Sequence, residues 1–132
     1  MNKYILKLRG IVEGRTEAKL LVYNKPLSFY GEVDKNTGRL IDGRQLVNRI
    51  LVLKQTRGST VAPYIIYGLA KKQKAPQAIV VTKAEPMLIV GAVLAQIPLA
   101  EGIPPGILEK LHDNCYAKIT INPPSSFMKI EC

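Results

Sequence analysis

The order of apolar segments in the middle of the chain constrains its fold most. Arg49-Ile-Leu-Val-Leu53, Ala78-Ile-Val-Val81 and Ile97-Pro-Leu99 are short and apolar, and read as strands. Between them, Thr60 to Lys72 and Pro86 to Ala95 are long enough for buried helices, the second with proline in its first turn. Strand–helix–strand–helix–strand requires parallel neighbours, because each helix carries the chain back to the end of the sheet where the next strand begins. Such crossovers are right-handed. Tyr4 to Val12 and Ala18 to Val22 read as strands before this unit, separated by a Glu13-Gly14-Arg15 turn. Cys115 to Ile121 alternates as a half-buried strand after it, and Phe127 to Ile130 adds a last edge strand. These flanking strands need a second layer. The expected architecture is α/β: three layers, β/β/α, with a partly parallel sheet built from βαβ units, in one domain over residues 1–132.

The remaining segments are shorter. Leu27 to Val33 reads as a short strand or an ordered loop, Asp34 to Gly38 as a turn, and Pro105 to Leu111 as a short helix. The longest apolar stretch, Met87 to Ala100, is interrupted by Gly91, Gln96 and Pro98 and is too short to span a bilayer. The first ten residues have no continuous apolar run and no small-residue cleavage site, so no signal peptide is expected. Cys115 and Cys132 are too few for a disulfide framework, and they cannot hold an iron–sulfur cluster alone. With His112 the only histidine, an all-protein zinc site is not expected either. A reduced, cytoplasmic protein that binds no metal itself is the resulting expectation.

Nineteen lysines and arginines against ten acidic residues give a formal charge of +9. That balance favours an anionic partner: nucleic acid, an acidic subunit, or a phosphorylated or carboxylated substrate. The basic residues are scattered, and the densest group, Lys71-Lys72-Gln73-Lys74, sits where a helix ends, a place that favours solvated cations. Aromatic residues make up only 6%, and no RNA- or DNA-binding motif is present. A basic nucleic-acid-binding module is therefore the alternative of a different class, not the leading one.

Chemistry concentrates in Arg57-Gly58-Ser59-Thr60, between a strand and a helix. A Ser or Thr there commonly caps the helix. Pro63 discriminates between the two: with Thr60 as cap, proline falls among the first helical positions, whose amides have no intrahelical partner. Thr60 is thus the expected cap, leaving the Ser59 hydroxyl unassigned. Gly58 allows close approach to the backbone, the amides of Gly58, Ser59 and Thr60 would face an anion, and Arg57 offers a fork for carboxylate or phosphate.

Several separated motifs then occur together: Pro26-Leu-Ser-Phe-Tyr-Gly with Val33-Asp34, Thr37-Gly38, Arg57-Gly-Ser-Thr, and Glu85-Pro86 with Gly91-Ala92. In this order, from about Leu8 to about Leu99, the chain resembles the small subunit of the aconitase X family. The resemblance implies a swivelling β/β/α domain paired with a larger subunit that holds a [4Fe-4S] cluster. It implies Ser59 as proton acceptor, with Arg57, Gly58 and Thr60 binding substrate. It implies dehydration of a hydroxy acid, with (R)-5-phosphomevalonate first and hydroxyproline or another hydroxy acid as alternatives. The chain departs from the family in the short segment from Ile41 to Leu53, which lacks a histidine often seen there. It also departs in Thr56, where glycine is usual, and in Ala62-Pro63, which replaces a more polar pair.

Other residues receive milder readings. Asp34, Asp42 and Glu85 are carboxylates explained by turns and helix starts. Phe29 and Tyr30 line either a pocket, a partner face or the ordinary core. His112, Cys115 and Cys132 lie outside the matched motifs and carry no assigned chemistry.

Overall fold

The structure, a computed structural model, describes residues 2–132. Strands β1 (Lys3–Val12) and β2 (Gly14–Tyr23) are joined through Glu13 alone, so Gly14 and Arg15 belong to a strand and not to the expected turn. One helical turn, α1 (Phe29–Glu32), stands where a strand or loop was expected. Then come β3 (Arg49–Leu53), α2 (Ala62–Lys71), β4 (Ala78–Val81), α3 (Pro86–Ala95) and β5 (Leu99–Glu101). The short helix α4 (Pro105–Leu108) and the hairpin β6 (Tyr116–Asn122) and β7 (Ser125–Glu131) follow. Among the described residues no helix is long and apolar enough to cross a membrane.

The strands β2, β3, β4 and β5 run parallel, as the two crossovers require. The antiparallel neighbours β6, β7 and β1 then connect β2 back to β5, closing the sheet in the order β1-β5-β4-β3-β2-β6-β7. The last strand is therefore no edge: β7 pairs with β1 on one side and β6 on the other. Closure removes the unpaired strand edges on which other chains can template.

Alternation along the strands separates two cores. Leu20, Val22, Ile50, Val52, Ala78 and Val80 point inward, between the parallel and antiparallel halves. Leu21, Tyr23, Leu51, Leu53, Ile79 and Val81 point outward, under the helices. The result is the expected β/β/α layering, with the two β layers joined at both margins. Helices α2 and α3 pack closely because Gly91 presents no side chain; a Cβ there would lie 2.8 Å from Ile66 Cδ1 and 3.2 Å from Pro63 Cα.

The two cysteines are not free thiols. Tyr116 pairs with Glu131, so one step further along the hairpin Cys115 meets Cys132, and the sulfurs are bonded at 2.03 Å. The expectation of reduced thiols is corrected by this register, which only the folded hairpin supplies.

Candidate active site

Strand β3 is completely buried from Ile50 to Leu53 and delivers the chain to the Arg57-Gly-Ser-Thr turn. A second segment holds this turn from one side. Leu27 donates its amide to Gln55 at 3.3 Å, and Arg57 donates its amide to the Leu27 carbonyl at 2.8 Å. Beyond Leu27, Ser28 caps α1 by accepting from Gly31, while Glu32 accepts the Ser28 amide at 2.7 Å, a reciprocal arrangement that satisfies two helix-end donors. The other Glu32 oxygen faces Arg57 Nη2 at 3.8 Å. Burial, then the negative charge of Glu32, push the Tyr23 phenol above its usual range. Phe29 is core, and Tyr30 is 68% exposed, which separates two residues that the sequence treats alike.

From the other side the turn is held by Glu85. This residue caps α3, accepting from Leu88 at 2.7 Å and Met87 at 3.1 Å, as its helix-start reading expects. It also accepts from the buried Thr56 hydroxyl at 3.1 Å. A Cβ on Gly58 would lie 2.8 Å from Glu85 Oε2, so a side chain there would have to displace that carboxylate. Thr56 thus makes a specific bond. Ala62 and Pro63 are buried and pack α2 against its neighbours.

The expected Thr60 cap is corrected. Helix α2 starts at Ala62 with Val61 in the capping position and no side-chain cap. Ser59 instead makes a local turn: its hydroxyl accepts from the Val61 amide at 3.3 Å, and its carbonyl accepts from Ala62 at 3.0 Å. A hydroxyl bonding two residues ahead competes with the helix and delays its start. Pro63 still falls in the first turn and loses no bond. Among the described residues, the amides of Gly58, Ser59 and Thr60 donate to no protein acceptor. Arg57, Gly58 and Thr60 are exposed and Ser59 is half-buried. Three amides, two hydroxyls and one guanidinium therefore stand together on one exposed turn, a constellation suited to an anion.

A cleft of about 640 Å³ opens beside the turn, between α1 and the start of α2, with Tyr30, Val33, Asp34, Val61 and Tyr64 in its wall. Neither Arg57 nor Ser59 lines it. Asp34 accepts from the Asn36 and Thr37 amides and is a turn residue, as expected.

Sequence reading missed Arg44. Its guanidinium donates to the Val22 carbonyl at 2.9 Å and to both Asp113 oxygens, and pairs with Asp42 at 2.9 Å. Asp113 in turn accepts the Val22 amide at 2.9 Å. The Arg44 side chain hydrogen-bonds Asp42 and holds its carboxyl below the usual carboxylate range. This cluster joins the short segment after Ile41 to the end of β2, a structural task. The only sequence signal was an Asp-Gly-Arg turn, which does not reveal a partner 69 residues away.

His112 lies near the bonded cysteines, with Nδ1 accepting from the Asn114 amide at 3.2 Å. These donors do not fit an iron–sulfur cluster, because Cys115 and Cys132 are bonded to each other and Cys115 is fully buried between the β layers.

The aconitase X swivel domain family model matches residues 5–127. Relatives named phosphomevalonate dehydratase small subunit include one from Pyrococcus furiosus, 49% identical over 104 residues, covering 74% of this chain and 78% of the relative. Another, from Pyrococcus abyssi, is 40% identical over 131 residues, covering 95% and 97%. Among solved structures, Thermococcus kodakaraensis aconitase X in its holo-form superposes with a TM-score of 0.89 at 36% identity, covering 98% of this chain and 99% of that one. A solution structure of a UPF0107 protein gives 0.83 at 33% identity, covering 95% and 97%.

Proposed function

The chain belongs to the aconitase X swivel-domain family, and on that premise we propose that it is the small subunit of phosphomevalonate dehydratase. The observation that carries this reading is that relatives matching almost end to end bear that one name. The reaction is loss of water from (R)-5-phosphomevalonate: a proton leaves the carbon next to the carboxylate, hydroxide leaves the neighbouring carbon, and a double bond forms between them.

In this reading Ser59 takes the proton. A serine hydroxyl is a weak base until ionised, since its pKa lies above the value of about 10 for tyrosine. A helix N-terminus contributes only ~0.3–2 kcal/mol, at most about one and a half pKa units. The amides of Gly58, Ser59 and Thr60 and the Arg57 guanidinium supply further positive potential, and Arg57 also suits a substrate carboxylate or phosphate. On an exposed turn these effects are screened by water, so the site needs closing by a partner.

That partner is a large subunit. The Lewis acid for the departing hydroxide, a [4Fe-4S] cluster on this reading, has no ligand set in this chain and belongs to that subunit. The active site is then shared, the swivel domain contributing the base and an anion clamp, in the cytoplasm where the pathway to isoprenoids runs.

Co-expression with a large aconitase-like subunit tests the reading. A heterodimer that dehydrates (R)-5-phosphomevalonate in preference to hydroxyproline and other hydroxy acids is expected. A complex that forms but prefers a different hydroxy acid would overturn the substrate, and a chain that binds no large subunit would overturn the function.

A further inference from the structure

Glu85 is an odd choice for a helix cap. The preferred caps are short (Ser, Thr, Asp, Asn), because the side chain has only to turn back onto its own helix. Glutamate is one methylene longer, and here the extra length has a visible use. Its Oε1 accepts from Leu88 of α3 and from the Thr56 hydroxyl across the loop. Its Oε2 accepts from Met87 and lies against Gly58. One carboxylate thus holds two amides of α3 and two residues of the neighbouring turn, and Ser59 follows directly.

We propose that Glu85 is a positioning residue: it sets the place of the Gly58-Ser59 backbone relative to α3, and through it the place of the Ser59 hydroxyl. For its catalytic part this inference rests on the function proposed above. Two features support a role beyond capping. Thr56 is buried, and its hydroxyl donates to this half-buried carboxylate alone. Gly58 sits so close that any side chain there would displace the carboxylate. The opposite side of the turn is tied to Leu27 by two backbone bonds, so Glu85 completes a two-sided grip on residues 55–58. A displacement of about 1 Å in such a group can cost about a hundredfold in rate.

Capping and positioning separate in Glu85→Asp. Aspartate is a good cap, so α3 should form and the melting temperature should stay within a few degrees of wild type. The shorter side chain does not reach Thr56 and Gly58. In the heterodimer with the large subunit, kcat on (R)-5-phosphomevalonate should fall at least tenfold with KM changed less than about threefold. Thr56→Val, which keeps shape and removes the hydroxyl, should move kcat in the same direction. Amide resonances of Gly58, Ser59 and Thr60 in the full chain should shift in both variants while Leu88 stays protected from exchange. Wild-type kcat and unmoved resonances in Glu85→Asp would overturn the inference, leaving Glu85 a cap. If the wild-type complex lacks dehydratase activity but the turn resonances still move, the proposed reaction falls and the geometric role of Glu85 stands.

Discussion

The Arg57 guanidinium faces the Glu32 carboxylate at 3.8 Å, while the amide of the same arginine is anchored to the Leu27 carbonyl at 2.8 Å. The backbone is therefore fixed and the side chain, 63% exposed, is held only by a long ion pair. Such a pair contributes about 0–1 kcal/mol to stability, so Arg57 is available to an incoming anion. Arg57→Ala in the assembled enzyme should leave the melting temperature nearly unchanged. It should raise KM about tenfold to a hundredfold, the loss of a charge-assisted contact worth ~1.5–3 kcal/mol. Steady-state kinetics beside a thermal melt check both halves.

Ser59→Ala removes a hydroxyl that accepts one bond, from Val61 at 3.3 Å. Folding and assembly should survive, and turnover should drop by about 10²–10⁴-fold, the usual range for a positioned base. An assembled variant with full activity would remove Ser59 from the role of base.

Gly91 lies where α2 crosses α3, 3.2 Å from Pro63 Cα to the position its Cβ would take. Gly91→Val should force the helices apart and destabilise the chain by about 1–3 kcal/mol. Urea denaturation measures this, and an unchanged midpoint would contradict the packing.

The pair Asp42–Arg44 predicts acid sensitivity with a defined sign. The folded-state pKa of Asp42 is lowered, chiefly by the Arg44 side chain. A depressed carboxylate stabilises the fold above its unfolded value of about 4, and the contribution is lost as pH falls through the lower folded value. Wild type should exceed Asp42→Asn in urea midpoint at neutral pH, and the gap should close as pH drops below about 4. The effect should be modest because the Asp42 side chain is 42% exposed.

The Cys115–Cys132 bond closes a loop of sequence separation 17. Cys132→Ser should lower stability by about 2–3 kcal/mol under oxidising conditions and become insensitive to added reductant. Alkylation before and after reduction, read by mass, should detect two thiols only after reduction.

Much of this molecule was legible in one dimension. The segments Arg49–Leu53, Ala78–Val81 and Pro86–Ala95 stand where apolar patterning and a first-turn proline put them. The family motifs gave the expectation of a site at the Arg57-Gly58-Ser59 turn. The cap of α2 was misread because Ser59 uses its hydroxyl on Val61, a local choice that spacing does not encode. The strand from Phe127 looked like an edge because alternation tells which face is buried and says nothing about how many neighbours a strand has.

Sequence alone thus determined the crossovers and the alternation of Cys115 to Ile121, which follow from short-range periodicity, and the residue types gathered on the turn. Tertiary structure decided what no local rule contains. The closing of the sheet between β1 and β7, the meeting of Cys115 with Cys132, the Arg44 cluster, and the reach of Glu85 to Thr56 and Gly58 all join distant residues. Each of these depends on register and on loop paths through space, and those exist only once the layers have packed.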